Sequence, residues 1–196
     1  MKILLIGATG TIGSAVATAL EARHRVVRVG HTSGDYQVDM ADKDSLKALL
    51  DAVGRVDAIV CTAGIARFGP LAELSDEDFS FTLRHKLMGQ VNLVRVGIDH
   101  VSTGGSFTLT SGSLSQRPAP ATAAVSMASG ALESFARAAA LDLDGRQRVN
   151  VVSPSSVRET LESMGMDPRP GIPAADLAET YLKVVEGDMT GQVVEP

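Results

Sequence analysis

The stretch Ile3-Leu4-Leu5-Ile6-Gly7-Ala8-Thr9-Gly10-Thr11-Ile12-Gly13 decides how the rest of this chain is read. Four apolar residues ended by a glycine predict a short strand buried on both faces. Beyond them, Ile12, Ala15, Val16, Ala19 and Leu20 fall on one face of a helix. Three glycines therefore sit on the turn between a strand and a helix. Gly7 permits a tight turn, Gly10 lets the backbone approach a phosphate, and Gly13 lets the helix pack closely on the strand. The unpaired amides at such a helix start, with the helix dipole, favour a pyrophosphate. A glycine pattern alone also describes an ordinary tight turn. Here the strand before it and the amphipathic helix after it point to a dinucleotide, with Thr9, Thr11 and Ile12 beside the three glycines as binding residues.

Working outward, apolar runs and helix-period segments alternate to the end of the chain. Strands are predicted at Arg25 to Gly30, Asp57 to Cys61, Ser106 to Thr110, Arg148 to Val152 and Gln192 to Val194. Helix faces are predicted from Leu46, Leu49, Leu50 and Val53, and from Leu83, Leu87, Val91, Val94, Ile98 and Val101. Two more follow, one carrying Leu132, Phe135, Ala136, Ala139, Ala140 and Leu143, the other spanning Ala174 to Glu186. Such alternation implies an α/β fold with a doubly wound parallel sheet, as one domain over residues 1–196. Between Ser153 and Pro173 four prolines predict a loop with room for one helical turn, placed to cover a ligand at the sheet end.

Composition limits the partners. The net charge of -5, with no Lys or Arg run, gives no reason to expect nucleic acid or an anionic membrane. No apolar segment nears the roughly 20 residues a membrane helix needs. A single cysteine, Cys61, excludes an intrachain disulfide and is read as a buried core residue. No His, Cys, Asp or Glu grouping has metal-ligand spacing. The expectation is a cytoplasmic protein with a small-molecule ligand.

The end of the second strand bears on which dinucleotide. An Asp or Glu there would bind ribose hydroxyls, as NAD-binding units require. The residues present are His31, Thr32 and Ser33, with no acid, which favours NADP and leaves NAD as the alternative.

With these segments in order, the chain resembles the short-chain dehydrogenase/reductase family along essentially its whole length. The glycine loop has that family's spacing. Val38-Asp39-Met40 resembles its Asp-Val segment, whose acid contacts the adenine, and Cys61-Thr62-Ala63-Gly64 resembles its Asn-Asn-Ala-Gly turn. Val149 to Pro154 is similar to the segment entering its Pro-Gly turn, and Thr190-Gly191-Gln192-Val193 to its closing strand. The resemblance implies that Asp39, Met40, Ala63 and Gly64 join the cofactor site. It also implies a homodimer or homotetramer built on the helices around Leu83 to Val101 and Ala124 to Leu143.

The residues implied for chemistry depart from the family. Its general acid/base Tyr falls on Val125, its Lys four residues later on Ser129, its upstream Ser on Gly112, and its helical Asn on Lys86. Valine has no proton to give, and a serine hydroxyl is too weak an acid unless activated. Lys86, Ser111 and Ser113 are the candidates to act instead, with Lys86 able to polarise a carbonyl or lower a neighbour's pKa. Ser126 and Ser129, like Ser111 and Ser113, suit either a hydrogen bond to substrate or nicotinamide amide or a turn or cap role. His85 is read as a surface or packing residue, and Tyr36 and Tyr181 lie far from the site in sequence. Two functions follow as expectations. One is an oxidoreductase on a small carbonyl or alcohol with a non-standard proton-transfer site. The other is a catalytically silent nucleotide-binding protein that senses redox state or serves as a partner subunit.

Overall fold

The computed structural model describes residues 1–196. In chain order the elements are β1 (Lys2–Ile6), α1 (Thr11–Glu21), β2 (Arg25–Gly30), β3 (Tyr36–Gln37), α2 (Lys43–Val53) and β4 (Val56–Cys61). Next come α3 (Asp76–Thr82), a π-type segment (Leu83–Met88), α4 (Gly89–Gly97) and β5 (Val101–Thr110). After these follow α5 (Ala123–Asp142), β6 (Arg148–Val152), α6 (Arg158–Ser163), α7 (Ala174–Glu186) and β7 (Val193–Val194). All strands are parallel, in the order β3-β2-β1-β4-β5-β6-β7.

Alternation of side chains along a strand divides the core into two layers. Leu4 and Ile6 of β1 face α2, α4 and α5, packing in a cluster with Leu46, Leu50, Leu93 and Leu132. Ile3 and Leu5 face the opposite way, against Val16, Ala17 and Leu20 of α1 and Leu177, Ala178 and Tyr181 of α7. Both faces being apolar and covered, β1 has no polar alternation to show.

From β1 the chain winds outward to β2 and β3, then crosses back to β4 on the other side. The loops leaving β1 and β4 therefore run apart, and a crevice opens at the carboxyl ends of these strands. No helix is long and apolar enough to cross a membrane.

Three elements differ from the sequence expectation. Tyr36–Gln37 is an added strand that pairs with Val29 and Gly30. Both its residues are exposed at the sheet edge, so no apolar run marks it. Val101 opens β5, pairing with Val56, and does not close the preceding helix. A valine at helical spacing also suits a strand, and periodicity alone does not separate the two. The helix itself begins earlier, at Asp76, where Ser75 and Asp78 form a reciprocal capping box.

Candidate active site

The glycine loop has the geometry its sequence predicts. Gly7 has φ +85°, and a Cβ there would lie 2.7 Å from the Ala63 amide nitrogen. At Gly13 a Cβ would lie 1.9 Å from the Gly7 carbonyl oxygen, so α1 reaches β1 only because that carbon is absent. The first helical hydrogen bond is from the Ser14 amide to the Gly10 carbonyl (2.8 Å), leaving the amides of Thr11, Ile12 and Gly13 without an acceptor. Three free amides at a helix start suit an anion such as a pyrophosphate.

On one side of this loop lies a cleft of about 340 Å³. Gly7, Gly30, His31, Asp39, Met40, Ala63 and Gly64 line it, and His85 closes it with its ring stacked 4.3 Å from that of Phe81. One carboxylate oxygen of Asp39 accepts from the Ala41 amide (2.9 Å). Asp35, the nearest acid after β2, accepts instead from the Arg28 amide (2.9 Å), away from the cleft. Thr32 and Ser33 are exposed just outside the lining, as is Thr9.

On the other side a cavity of about 350 Å³ lies beyond the ends of β5 and β6. Ile12, Phe68, Leu114 and Val125 give it apolar walls, and Ser113, Ser129, Ser155 and Ser156 contribute hydroxyls. Gly112, Val125 and Ser129 lie together here, although they come from two different elements. Lys86 is the one ionisable side chain in the lining.

The placement of Lys86 has a local cause. Within the π-type segment the Gly89 amide donates to the Arg84 carbonyl, five residues back. Gln90, wholly buried, ties the widened turn to the sheet: its Nε2 donates to the Lys86 and Thr110 carbonyls, and its Oε1 accepts from the Thr110 amide. The extra residue in the turn re-aims the side chains on it, as such bulges do at functional sites. Lys86 lays its stem over Gly64, and its Nζ donates to the Ser111 carbonyl (3.0 Å). Part of the residue remains at the surface, but the ammonium lies within the protein, and the loss of water lowers its pKa.

Glu133 lies outside the cavity lining, is buried (4% exposed) and forms no salt bridge. One of its oxygens accepts from the hydroxyls of Ser111 (2.8 Å), Ser115 (2.7 Å) and Ser153 (3.3 Å). The Ser111 hydroxyl is thereby committed, and only its carbonyl serves the cavity. The Ser113 hydroxyl stays free, whereas its amide donates to the Pro154 carbonyl. Ser129 is 0% exposed and its hydroxyl has no partner at all.

The other candidates fall outside. Cys61 is buried, its thiol pushed up to about 12 by burial. Tyr36 is an exposed edge residue. Tyr181 comes close, sharing a 2.6 Å hydrogen bond with Thr110, but its hydroxyl is buried under the strand end and burial raises its pKa strongly. Ser126 pairs with Thr122 at the start of α5.

Comparison with known proteins places this geometry. A family profile described as Enoyl-(Acyl carrier protein) reductase matches residues 7–188. The chain belongs to the short-chain dehydrogenase/reductase family. An elsinochrome reductase of Elsinoe fawcettii is 30% identical over 183 residues, covering 80% of this chain and 68% of the relative. A versicolorin reductase of Emericella nidulans is 29% identical, covering 79% and 68%. The chain thus spans about two thirds of the length of these two reductases. Among solved structures, the protein lin1944 of Listeria innocua is 42% identical with a TM-score of 0.94, covering 100% of this chain and 98% of the other. A small-chain dehydrogenase in complex with NADPH is 25% identical with a TM-score of 0.88, covering 100% and 96%.

Two site residues escaped the sequence reading of this family member. Phe68 was silent in a loop, with no periodicity to mark it. Glu133 carried a signal, since it follows Val125 and Ser129 at steps of four and so puts an acid on a buried helix face.

Proposed function

We propose that the chain is an NADP-dependent oxidoreductase acting on a small carbonyl or alcohol, with Lys86 standing in for the family's usual proton-transfer residues. The observation that carries this reading is the Lys86 ammonium inside a cavity whose Gly112, Val125 and Ser129 offer no other acid. The free amides of Thr11, Ile12 and Gly13 would hold the pyrophosphate, and the cleft of His31, Asp39 and Met40 the adenosine. NADP is favoured over NAD by the absence of a carboxylate facing the cleft from the end of β2, and by the NADPH in the 25% identical dehydrogenase.

The nicotinamide, when bound, supplies or accepts the hydride. This chain's own residues then have to stabilise the substrate oxygen. The Lys86 ammonium, anchored on the Ser111 carbonyl, polarises that oxygen and offsets the charge that develops on it. Its depressed pKa also makes its proton easier to give near neutral pH than an ordinary lysine's. Ser129 and Ser113 orient the same oxygen through their unspent hydroxyls, while Ile12, Phe68 and Val125 exclude water. We extend the reading to one domain over residues 1–196, associating as a homodimer or homotetramer through α4 and α5.

A second reading, a silent nucleotide-binding protein, draws on the same three positions, since valine, glycine and serine replace the family's acid/base set. Fluorescence titration with NADPH and NADH, followed by turnover across a carbonyl panel, separates the two. Turnover that Lys86→Met reduces supports the enzyme. Tight NADPH binding with no turnover on any carbonyl supports the silent protein.

A further inference from the structure

The cavity beyond β5 and β6 holds one cation and no facing acid. Glu133, the nearby carboxylate, lies outside the lining and forms no ion pair with Lys86; its Oε1 accepts from the hydroxyls of Ser111, Ser115 and Ser153. An ammonium has three N–H donors. Lys86 gives one, to the Ser111 carbonyl. Ser129 adds a fully buried hydroxyl with no partner on the same cavity wall, and a Cβ on the neighbouring Gly112 would lie 3.9 Å from it. Buried polar groups are met by a hydrogen bond and buried charges by a counter-charge. A neutral carbonyl satisfies the first requirement here and leaves the second.

We propose that this cavity receives a short 2-oxo acid, whose carboxylate and adjacent carbonyl oxygen share the free N–H donors of Lys86 and the hydroxyl of Ser129. This rests on the reading that Lys86 faces the reacting carbonyl, and it adds the substrate class. The carboxylate supplies the missing counter-charge and has acceptor sites in excess of the donors present. The volume of about 350 Å³ has to be shared with a nicotinamide ring, which keeps the acid short. Phe68 lines the cavity yet is 61% exposed, giving an apolar or aromatic side group a surface at the mouth.

The test compares phenylglyoxylate with its uncharged methyl ester, titrated into the full chain with NADPH present and read by ligand-observed NMR. We expect the acid to bind about tenfold or more tightly than the ester, a factor in the range of one charge-assisted hydrogen-bonded pair. Lys86→Met should erase that preference and Ser129→Ala should reduce it, with NADPH affinity and thermal melting monitored in each. Lys86→Gln, which keeps a polar end without the charge, serves if the methionine variant folds poorly. Equal binding of acid and ester, or a preference that survives removal of the lysine charge, overturns the proposal. NADPH oxidation is followed in parallel. Acid preference without oxidation leaves this inference standing and defeats the oxidoreductase reading. Oxidation with neutral carbonyls and no acid preference does the reverse.

Discussion

The two hollows flanking the glycine loop are built on different principles. The cleft at Gly7, His31 and Asp39 is formed by glycines and by residues at the ends of β1, β2 and β4 and the loops after them, with Phe81 and His85 closing one side. The cavity at Lys86 and Ser129 is formed by side chains from the π-type segment, the β5 end, α5 and the α6 region. The first is organised by the glycine spacing of β1 and α1, and the second by side chains gathered from elements far apart in the chain. A backbone-built site tolerates almost no substitution at its glycines, because an added carbon has nowhere to go. A side-chain-built site can exchange one chemistry for another while the sheet beneath it stays the same.

Variants can break this contrast at either hollow. The largest effect is expected at Gly13→Val, whose Cβ would need the space of the Gly7 carbonyl 1.9 Å away. NADPH binding should vanish in a fluorescence titration, and chemical denaturation should show a loss of about 1–3 kcal/mol from overpacking, or outright failure to fold. Lys86→Met should lower turnover by about 10²–10⁴-fold, the usual contribution of a positioned proton donor, with NADPH affinity little changed. If turnover is unaffected, Lys86 has no part in the chemistry and the contrast between the hollows collapses.

Glu133→Leu tests the support beside the side-chain-built cavity. It leaves the hydroxyls of Ser111, Ser115 and Ser153 without their acceptor, at a cost of about 1–3 kcal/mol in urea denaturation. Glu133→Gln retains a carbonyl oxygen and should cost less.

The pH dependence of stability gives a further handle on Lys86. Its folded pKa lies below the ordinary 10.5, so the unfolded chain binds the proton more tightly than the folded one. Stability therefore rises with pH between the folded pKa and 10.5, and the burial penalty is full below that window. Lys86→Met should remove this rise, so its melting temperature gains on the parent chain at neutral pH and the gain shrinks as pH approaches 10.5. The smallest effect is expected at the backbone-built cleft. Thr32→Asp places an acid just after β2 and should shift the NADPH-to-NADH affinity ratio toward NADH by about tenfold.

Much of this contrast is legible in the sequence. The glycine loop, β1, β2, α7 and the burial of Cys61 follow from local pattern, because apolar period and glycine spacing are properties of consecutive residues. The edge strand at Tyr36 and the start of β5 at Val101 were not legible, since an exposed pair and an ambiguous valine carry no period. At the site, the sequence named Lys86, Ser111 and Ser113 but could not apportion them. Ser111 turned out to face Glu133 with its hydroxyl and Lys86 with its carbonyl.

The sequence by itself determined the alternation of most strands and helices and the glycine loop between β1 and α1 that can take a pyrophosphate. Each is a property of consecutive residues, whose spacing dictates backbone conformation and buried face. Only the tertiary structure decided that Lys86 lines the cavity, that one Glu133 oxygen takes three serine hydroxyls, and that the Ser129 hydroxyl is left without a partner. Those facts depend on which side chains meet across elements distant in the chain, and on how much water reaches them, and neither is written in local periodicity.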